Sequence, residues 1–429
     1  MTSERHTCEV LVVGAGPAGI TAACVAGEAG KSVALVDNSP WLGGQIWRGE
    51  QTRQTHQEAR RWLRRLENCG ARIFSGATVF DGSATGTLFA ESPTAILEFT
   101  WRKLIVATGA REVLLPFPGW TLPGVMGAGG LHAMVQGGWP VAGKRVVVAG
   151  SGPLLLAVAQ GLQEHGADVP LVVEQAPWSK VIEFGAGLLR FPTKLLQGIA
   201  TRAALGQVRY RCGCWPVRAE GAEWVQSVVL TNGKSTWTER YDYLAWGFHL
   251  VPNLELPLLL GCVTANGSVA VDAFQETSVK AIYCAGEPTG VGGADSALVE
   301  GQIAGLAAAG KTEEARALFR RRNSWHRFKA ALSTAFALRP ELKRLAAADT
   351  IVCRCEDVRQ AELAGFADWR AAKLQTRCGM GPCQGRVCGA ATHVLFGWEL
   401  ASVRPPIFPV RTGTLRAAGT CLKPQNEDK

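Results

Sequence analysis

Val10-Leu11-Val12-Val13-Gly14-Ala15-Gly16-Pro17-Ala18-Gly19 is the stretch that decides the fold class. Four apolar residues make a buried strand, and three glycines at the spacing GxGxxG follow it directly. Gly14 permits the tight turn, Gly16 lets a pyrophosphate approach the backbone, and Gly19 lets helix and strand pack closely. Pro17 and Ala18 open a small-residue helix that runs to about residue 27, and the N–H groups at its start suit phosphate. A second strand, residues 32–36, ends at Asp37, which is placed to accept a ribose hydroxyl. Strand, glycine turn, helix, strand and acid follow in order, and together they predict a dinucleotide site.

The pattern recurs. Residues 145–149 form an apolar strand, followed by Gly150-Ser151-Gly152-Pro153-Leu154-Leu155, a helix, and a strand at 171–173 that ends at Glu174. Leu155 replaces the third glycine, which changes helix–strand packing and argues against ordinary nicotinamide binding. Two readings stay open: a second nucleotide, ATP or NAD(P), held by Gly150, Gly152, Pro153 and Glu174, or a structural Rossmann unit without a ligand. Three shorter segments fit the first site. Gly44 and Gln45, in a Gly-Gly-Gln run, reach along the cofactor. The strand at 104–107 ends in the small turn Thr108-Gly109. The strand at 281–285 ends in Gly286-Glu287, ahead of a small-residue helix at about 294–309. The Glu287 carboxylate suits a ribityl or ribose hydroxyl.

The third informative region is rich in cysteine. Cys353-Arg354-Cys355 is followed by Cys378, Cys383 and Cys388, the last three spaced by four intervening residues. A [2Fe–2S] cluster needs four thiolates, so five cysteines compete for four places, and zinc or a metal-free remnant is the alternative. Arg354, Arg377 and Arg386 offset the charge of a thiolate-bound cluster or simply carry surface charge. Cys8, Cys24, Cys69, Cys262, Cys284 and Cys421 have no ligand spacing and read mostly as small buried hydrophobes. Cys212-Gly213-Cys214 has no matching pair. The seven histidines form no constellation, so no general base is named.

With 429 residues, 47% of them hydrophobic, and 50 glycines, the chain has room for two or three α/β domains with many strand-to-helix turns. No apolar run reaches the roughly 18 residues of a membrane span. Residue 9 already opens the first strand, so no leader is expected. Thirteen cysteines without a leader point to a reducing cytoplasm. The net charge of +9 includes two basic clusters, Arg60, Arg61, Arg64, Arg65 and Arg316, Arg320, Arg321, Arg322, read as solvated helix faces or docking surface. Neither is interleaved with stacking residues, so nucleic acid is not expected as a partner.

The order of these motifs resembles the two-dinucleotide-binding-domain flavoproteins, which include thioredoxin reductase, over roughly residues 8–310. The resemblance implies FAD in the first site and a second nucleotide domain inserted into the first. Two departures stand out: the inserted domain has no CxxC, and Glu287 stands where many members have aspartate. The second glycine loop and Gly379-Met380-Gly381-Pro382-Cys383-Gln384-Gly385-Arg386 resemble the A-type subunits of opine oxidases, the B-type subunit of hydrogen cyanide synthase and the matching subunit of D-hydroxyproline dehydrogenase. The cysteine region resembles bacterioferritin-associated ferredoxin. That likeness implies Cys353, Cys355, Cys383 and Cys388 as ligands, with Cys378 in place of Cys388 as the alternative.

The expected architecture is α/β: two Rossmann-like domains, the second inserted in the first, plus a small helical C-terminal [2Fe–2S] module. The expected division is 1–117 with 246–310 for FAD, 118–245 for the inserted domain, 311–345 as a helical linker, 346–400 for the cluster, and 401–429 as an extended tail. The implied function is an electron-transfer subunit of a hetero-oligomeric amino-acid or imino-acid dehydrogenase of the opine, D-hydroxyproline or glycine type. Its implied partners are a D-amino-acid-oxidase-like flavoprotein and a small ferredoxin-like subunit. The complex is expected in the cytoplasm, or at the inner face of the membrane by peripheral association. The rival readings are a self-contained NAD(P)H-dependent flavin reductase and a non-catalytic assembly subunit.

Overall fold

A computed structural model describes residues 2–54, 56–399 and 403–421. The chain divides into two units, each built from separated segments: 1–111, 251–329 and 401–429 in the first, and 112–250 with 330–400 in the second. In chain order, residues 112–250 are therefore an insertion into the first unit.

The first unit is built on a seven-stranded sheet. Thr2–Val13 lies at its centre, parallel to Val33–Asp37 on one side and to Ala95–Val106 on the other. Arg72–Ser75 extends the first edge in parallel. Thr87–Glu91 runs antiparallel along the N-terminal half of Ala95–Val106, Thr78–Ser83 pairs antiparallel with Thr87–Glu91 at the sheet edge, and Ile282–Cys284 pairs in parallel with the C-terminal half of Ala95–Val106. The first strand is longer than its apolar run: residues 2–5 are exposed, and only the part from Cys8 onward carries the buried side chains that mark a strand in sequence. The helix Pro17–Glu28 packs on the helix Ala294–Ala308 through small residues. A Cβ on Gly301 would lie 2.1 Å from the Ala18 carbonyl oxygen, and one on Gly305 would lie 2.4 Å from that of Ala22. Such close backbones explain why both helices read as runs of alanine and glycine.

The expected extended tail is corrected. Residues 404–409 are non-helical, as their prolines require, but Thr412–Cys421 is a helix. Past the last proline nothing blocks helix formation, and the segment is anchored: Arg411 pairs with Glu91 at 2.9 Å and Ala418 packs with Phe80 and Phe89. The expected frayed end, 426–429, lies outside the described residues.

The second unit holds a five-stranded parallel sheet in the order Arg209–Cys212, Asp168–Glu174, Arg145–Gly150, Tyr243–Gly247, Val125–Gly127. A three-stranded antiparallel meander, Trp215–Gly221, Val225–Thr231 and Thr236–Arg240, sits in the same unit. Leu155 is buried in the core with Val148, Val158 and Leu162. Residues 346–400 belong to this unit, with a short hairpin of Ile351–Cys353 and Val358–Arg359 and the helices Trp369–Thr376 and Cys388–Phe396. They are joined to it by Trp120, whose indole N–H donates to the Ile351 carbonyl at 2.7 Å and whose ring carries the Arg354 guanidinium.

Candidate functional site

Three places in the fold carry chemistry, and the first is the opening glycine turn. Gly14 has φ +107°, and a Cβ there would lie 2.2 Å from the Ala107 carbonyl oxygen. A Cβ on Gly19 would lie 1.7 Å from the Gly14 oxygen. Both glycines are therefore required by the fold itself. Gly16 is different: a Cβ built there meets nothing within 4 Å. The open space at the turn begins at this residue.

The surroundings of the turn are built around that space. The Gly43 N–H donates to the Ala15 carbonyl at 2.8 Å, which brings Gly44 against Gly16, while Gln45 is exposed just beyond. Asp37 accepts from the Ala15 N–H at 2.5 Å and from the Ser39 N–H at 2.7 Å. Burial raises its pKa, and these two hydrogen bonds oppose the rise. Thr108 is tied to Asn253 in both directions, hydroxyl to carbonyl at 3.0 Å and carbonyl to side-chain amide at 2.8 Å, and Gly109 accepts the Asn253 N–H. Gly286, at φ +81°, lies against Ala18. Glu287 uses one carboxylate oxygen to accept the Gly293 N–H at 2.9 Å. Its other oxygen is buried and has no hydrogen-bond partner among the described residues. A buried acceptor left open beside an uncovered phosphate-binding turn fits FAD, whose sugar and ribityl hydroxyls can donate to it.

Sequence reasoning missed Glu300, the lone acid in the middle of an otherwise small and apolar helix. It is fully buried and accepts from the Gly286 N–H, the Thr289 and Ser296 hydroxyls and the Lys329 ammonium, the last at 2.6 Å, with His326 at 3.5 Å. Burial disfavours its charge, but His326, Lys329 and Thr289 outweigh burial and hold its pKa down to about 2. Glu300 thus fixes the loop that carries Glu287.

The second glycine loop is covered. Gly152 is buried, with the Phe336 ring 3.9 Å from the position of a Cβ. Its N–H donates to Glu174 at 2.6 Å, and the Ala176 N–H donates to the other Glu174 oxygen at 2.8 Å. Glu174 is fully buried, and burial pushes its pKa up to about 7. It is turned onto the amides of its own loop rather than outward. Gly150 is packed against the Gly247 carbonyl, and Pro153, at the mouth of the helix, is exposed.

The third place is the cysteine region, where all five thiols are near one another. The sulfurs of Cys353, Cys378 and Cys388 lie within 4.8 Å of each other, and all three residues are buried. Cys355 is exposed, and its sulfur meets the thiol and the amide of Cys383. Each member of the CxC pair therefore faces one member of the Cys383–Cys388 pair. The family likeness placed Cys378 outside the favoured set of four; the structure brings it in beside Cys353 and Cys388. Hydrogen bonds from Cys378 and Cys388 hold the Cys353 pKa down, to about 2, while the same contacts push the two donors up, Cys378 to about 12. The Gly379 N–H also points at the Cys353 sulfur, at 3.5 Å.

The loop is shaped for close approach. A Cβ on Gly381 would lie 2.2 Å from that of Cys355, and Gly379 and Gly385, both at positive φ, rest on the Trp369 ring. Arg377 pairs with Glu356 at 2.7 Å, and Arg386 bonds Gln384 at 2.8 Å and the Cys383 carbonyl. Converging thiols with a donated N–H fit a soft metal or an iron–sulfur cluster.

Residues 8–309 match the family described as pyridine nucleotide-disulphide oxidoreductase. Over 94% of its length the chain is 31% identical to the A-type subunit of opine oxidase from Rhizobium meliloti, 97% of which is covered. It is 29% identical to the hydrogen cyanide synthase subunit HcnB of Pseudomonas protegens, with 88% of this chain and 89% of that protein covered. Among solved structures, L-proline dehydrogenase from P. horikoshii superposes with a TM-score of 0.70 at 22% identity, covering 97% of this chain and 80% of that one. Thioredoxin reductase of T. acidophilum gives 0.53 at 20% identity, covering 72% and 99%.

Proposed function

The chain belongs to the pyridine nucleotide-disulphide oxidoreductase family and, within it, to the group of the opine oxidase A-type subunits and HcnB of hydrogen cyanide synthase; from that premise we propose that it is the electron-transferring subunit of a multi-subunit amino-acid or imino-acid dehydrogenase. FAD lies in the first glycine turn and a [2Fe–2S] cluster in the cysteine region. A flavin takes electrons in pairs and a [2Fe–2S] cluster carries them singly, so the two together divide a two-electron oxidation into single steps. Gly16, at the helix start opened by Pro17 and Ala18, receives the pyrophosphate in a turn that Gly14 and Gly19 shape, Asp37 takes a ribose hydroxyl, and Glu287 takes a hydroxyl through its unpartnered oxygen. Gly44, Gln45, Thr108, Gly109 and Gly286 frame the rest.

Cys353, Cys355, Cys383 and Cys388 would supply the four thiolates of the cluster, and Cys378 would be a neighbour rather than a ligand. The observation that carries the reading is the presence, in one chain, of an open phosphate-binding turn and five converging thiols without a CxxC in the inserted domain. The substrate site belongs to a partner, proposed as a D-amino-acid-oxidase-like flavoprotein, and a small ferredoxin-like protein is the third member. Among the described residues no helix is long and apolar enough to cross a membrane; any membrane association is proposed to be peripheral, through the complex.

The test is anaerobic reduction. The complex with its neighbouring gene products should bleach when given the proper amine and should bleach little with NADH or NADPH. Rapid stoichiometric bleaching of the isolated chain by either nucleotide would make it a self-contained reductase. An intact complex that neither donor bleaches would make it an assembly subunit.

A further inference from the structure

We propose that the crevice above the second glycine loop is a socket for the chain's own arm, residues 335–339, and that arm and nucleotide compete for one space. In doubly wound sheets a nucleotide lies beyond the carboxyl ends of the strands, over the glycine loop, with its ribose at the acid ending the second strand. The glycine loop, the strand end and its acid are all present here, and Ser151, Gly152, Glu174 and Gln175 are each engaged by the arm or by the loop itself.

The Ser151 hydroxyl, inside the loop, donates to the Phe336 carbonyl at 3.2 Å. Gln175, the residue after the acid, is buried and acts as the clamp. Its side-chain amide donates to Ser151 at 2.9 Å and to the Ala337 carbonyl at 3.1 Å, and its oxygen accepts the Arg339 N–H at 3.2 Å. The Phe336 ring packs edge-on against Phe184, 5.2 Å between centroids, and covers Gly152. The Arg339 guanidinium closes the far side over the Trp215 ring at 4.5 Å.

The two glycine loops make an internal comparison. At equivalent positions, a side chain on Gly16 would enter open space, whereas Gly152 is buried beneath Phe336. The Gly152 N–H, a donor that a phosphate would need, is already given to Glu174. A polar clamp of this kind is costly to open, because a buried Gln175 without its partners leaves donors and an acceptor unsatisfied. The arm leads on into the short turn Pro340–Arg344 and then to the cysteine hairpin, so the second Rossmann unit serves as the anchor for the entry to the cysteine region.

Hydrogen–deuterium exchange on the full chain, FAD-loaded, with and without millimolar ATP or NADH, tests the idea. Residues 335–340 should be protected in the wild type. Gln175→Ala and Phe336→Ala should each speed their exchange about tenfold or more, with the flavin spectrum unchanged as a control for folding. Any nucleotide that binds the second unit should release the arm, and it should bind both variants more tightly than the wild type. Exchange at 335–340 that is unchanged in both variants overturns the proposal. So does saturable binding of ATP or NADH at 150–156 while 335–340 stays protected.

Discussion

Gly14 and Gly16 stand two residues apart and should answer substitution in opposite ways. Gly14→Ala drives a methyl group into the Ala107 carbonyl at a positive φ, so the protein should fail to accumulate. Gly16→Val places its Cβ where no protein atom lies within 4 Å and should fold, with normal circular dichroism, but purify without flavin absorbance. A yellow Gly16→Val protein with normal FAD content would remove the pyrophosphate from this turn. Glu287→Gln keeps the bond from Gly293 within reach but exchanges a charged acceptor for a neutral one. It should weaken FAD binding by about 1–3 kcal/mol, read as a 5- to 150-fold rise in the Kd from flavin fluorescence.

At the scale of the element, Glu300 ties the loop at 286–289 to the helix Phe319–Ala335 through Lys329. Removing one partner of a buried pair strands the other, so Glu300→Ala should cost about 3–5 kcal/mol in denaturant unfolding. The pH dependence follows from the direction of its shift. A carboxyl with a folded pKa near 2, against about 4.5 unfolded, stabilises fully above pH 4.5 and loses that stabilisation as pH falls toward 2. Glu300→Gln should therefore flatten the acid limb of the stability curve.

The cysteine loop gives a second element-scale test. Cys353→Ser, Cys355→Ser, Cys383→Ser and Cys388→Ser should each abolish the reduced-cluster electron paramagnetic resonance signal, while Cys378→Ser should retain about two irons per chain. The reverse outcome for Cys378 and Cys388 would exchange their roles, and zinc or no metal in anaerobically purified wild type would end the relay. Gly381→Ala, which crowds Cys355, should lower iron content while FAD stays bound.

On the scale of the whole molecule, what could be read from sequence was what is local. The first glycine turn is legible because strand, turn, helix and acid fall within thirty residues, and one structural rule joins them. Glu174 was legible as an acid at a strand end, but not as one turned inward, since that depends on burial. Phe336 and the Gln175 clamp leave no trace in spacing because the partners are some 160 residues apart. The helix at Thr412–Cys421 was hidden by the prolines before it, and its anchors at Glu91 and Phe80 come from the other end of the chain. Cys378 was visible as a cysteine, but only the loop's path puts it beside Cys353.

The first unit's central sheet and its helical cover come from opposite sides of a long insertion. Ile282–Cys284 supplies a strand beside Ala95–Val106, and Ala294–Ala308 supplies the partner of Pro17–Glu28. A ribosome making about 5–20 residues per second delivers these pieces on the order of ten seconds or more after the strands they complete. For that interval the nascent chain displays the alanine-rich flank of its first helix and an unfilled sheet edge, the kind of surface that hydrophobic-binding chaperones hold. Yield in cells should then depend on translation speed and chaperone supply more steeply than the stability of the finished protein would imply.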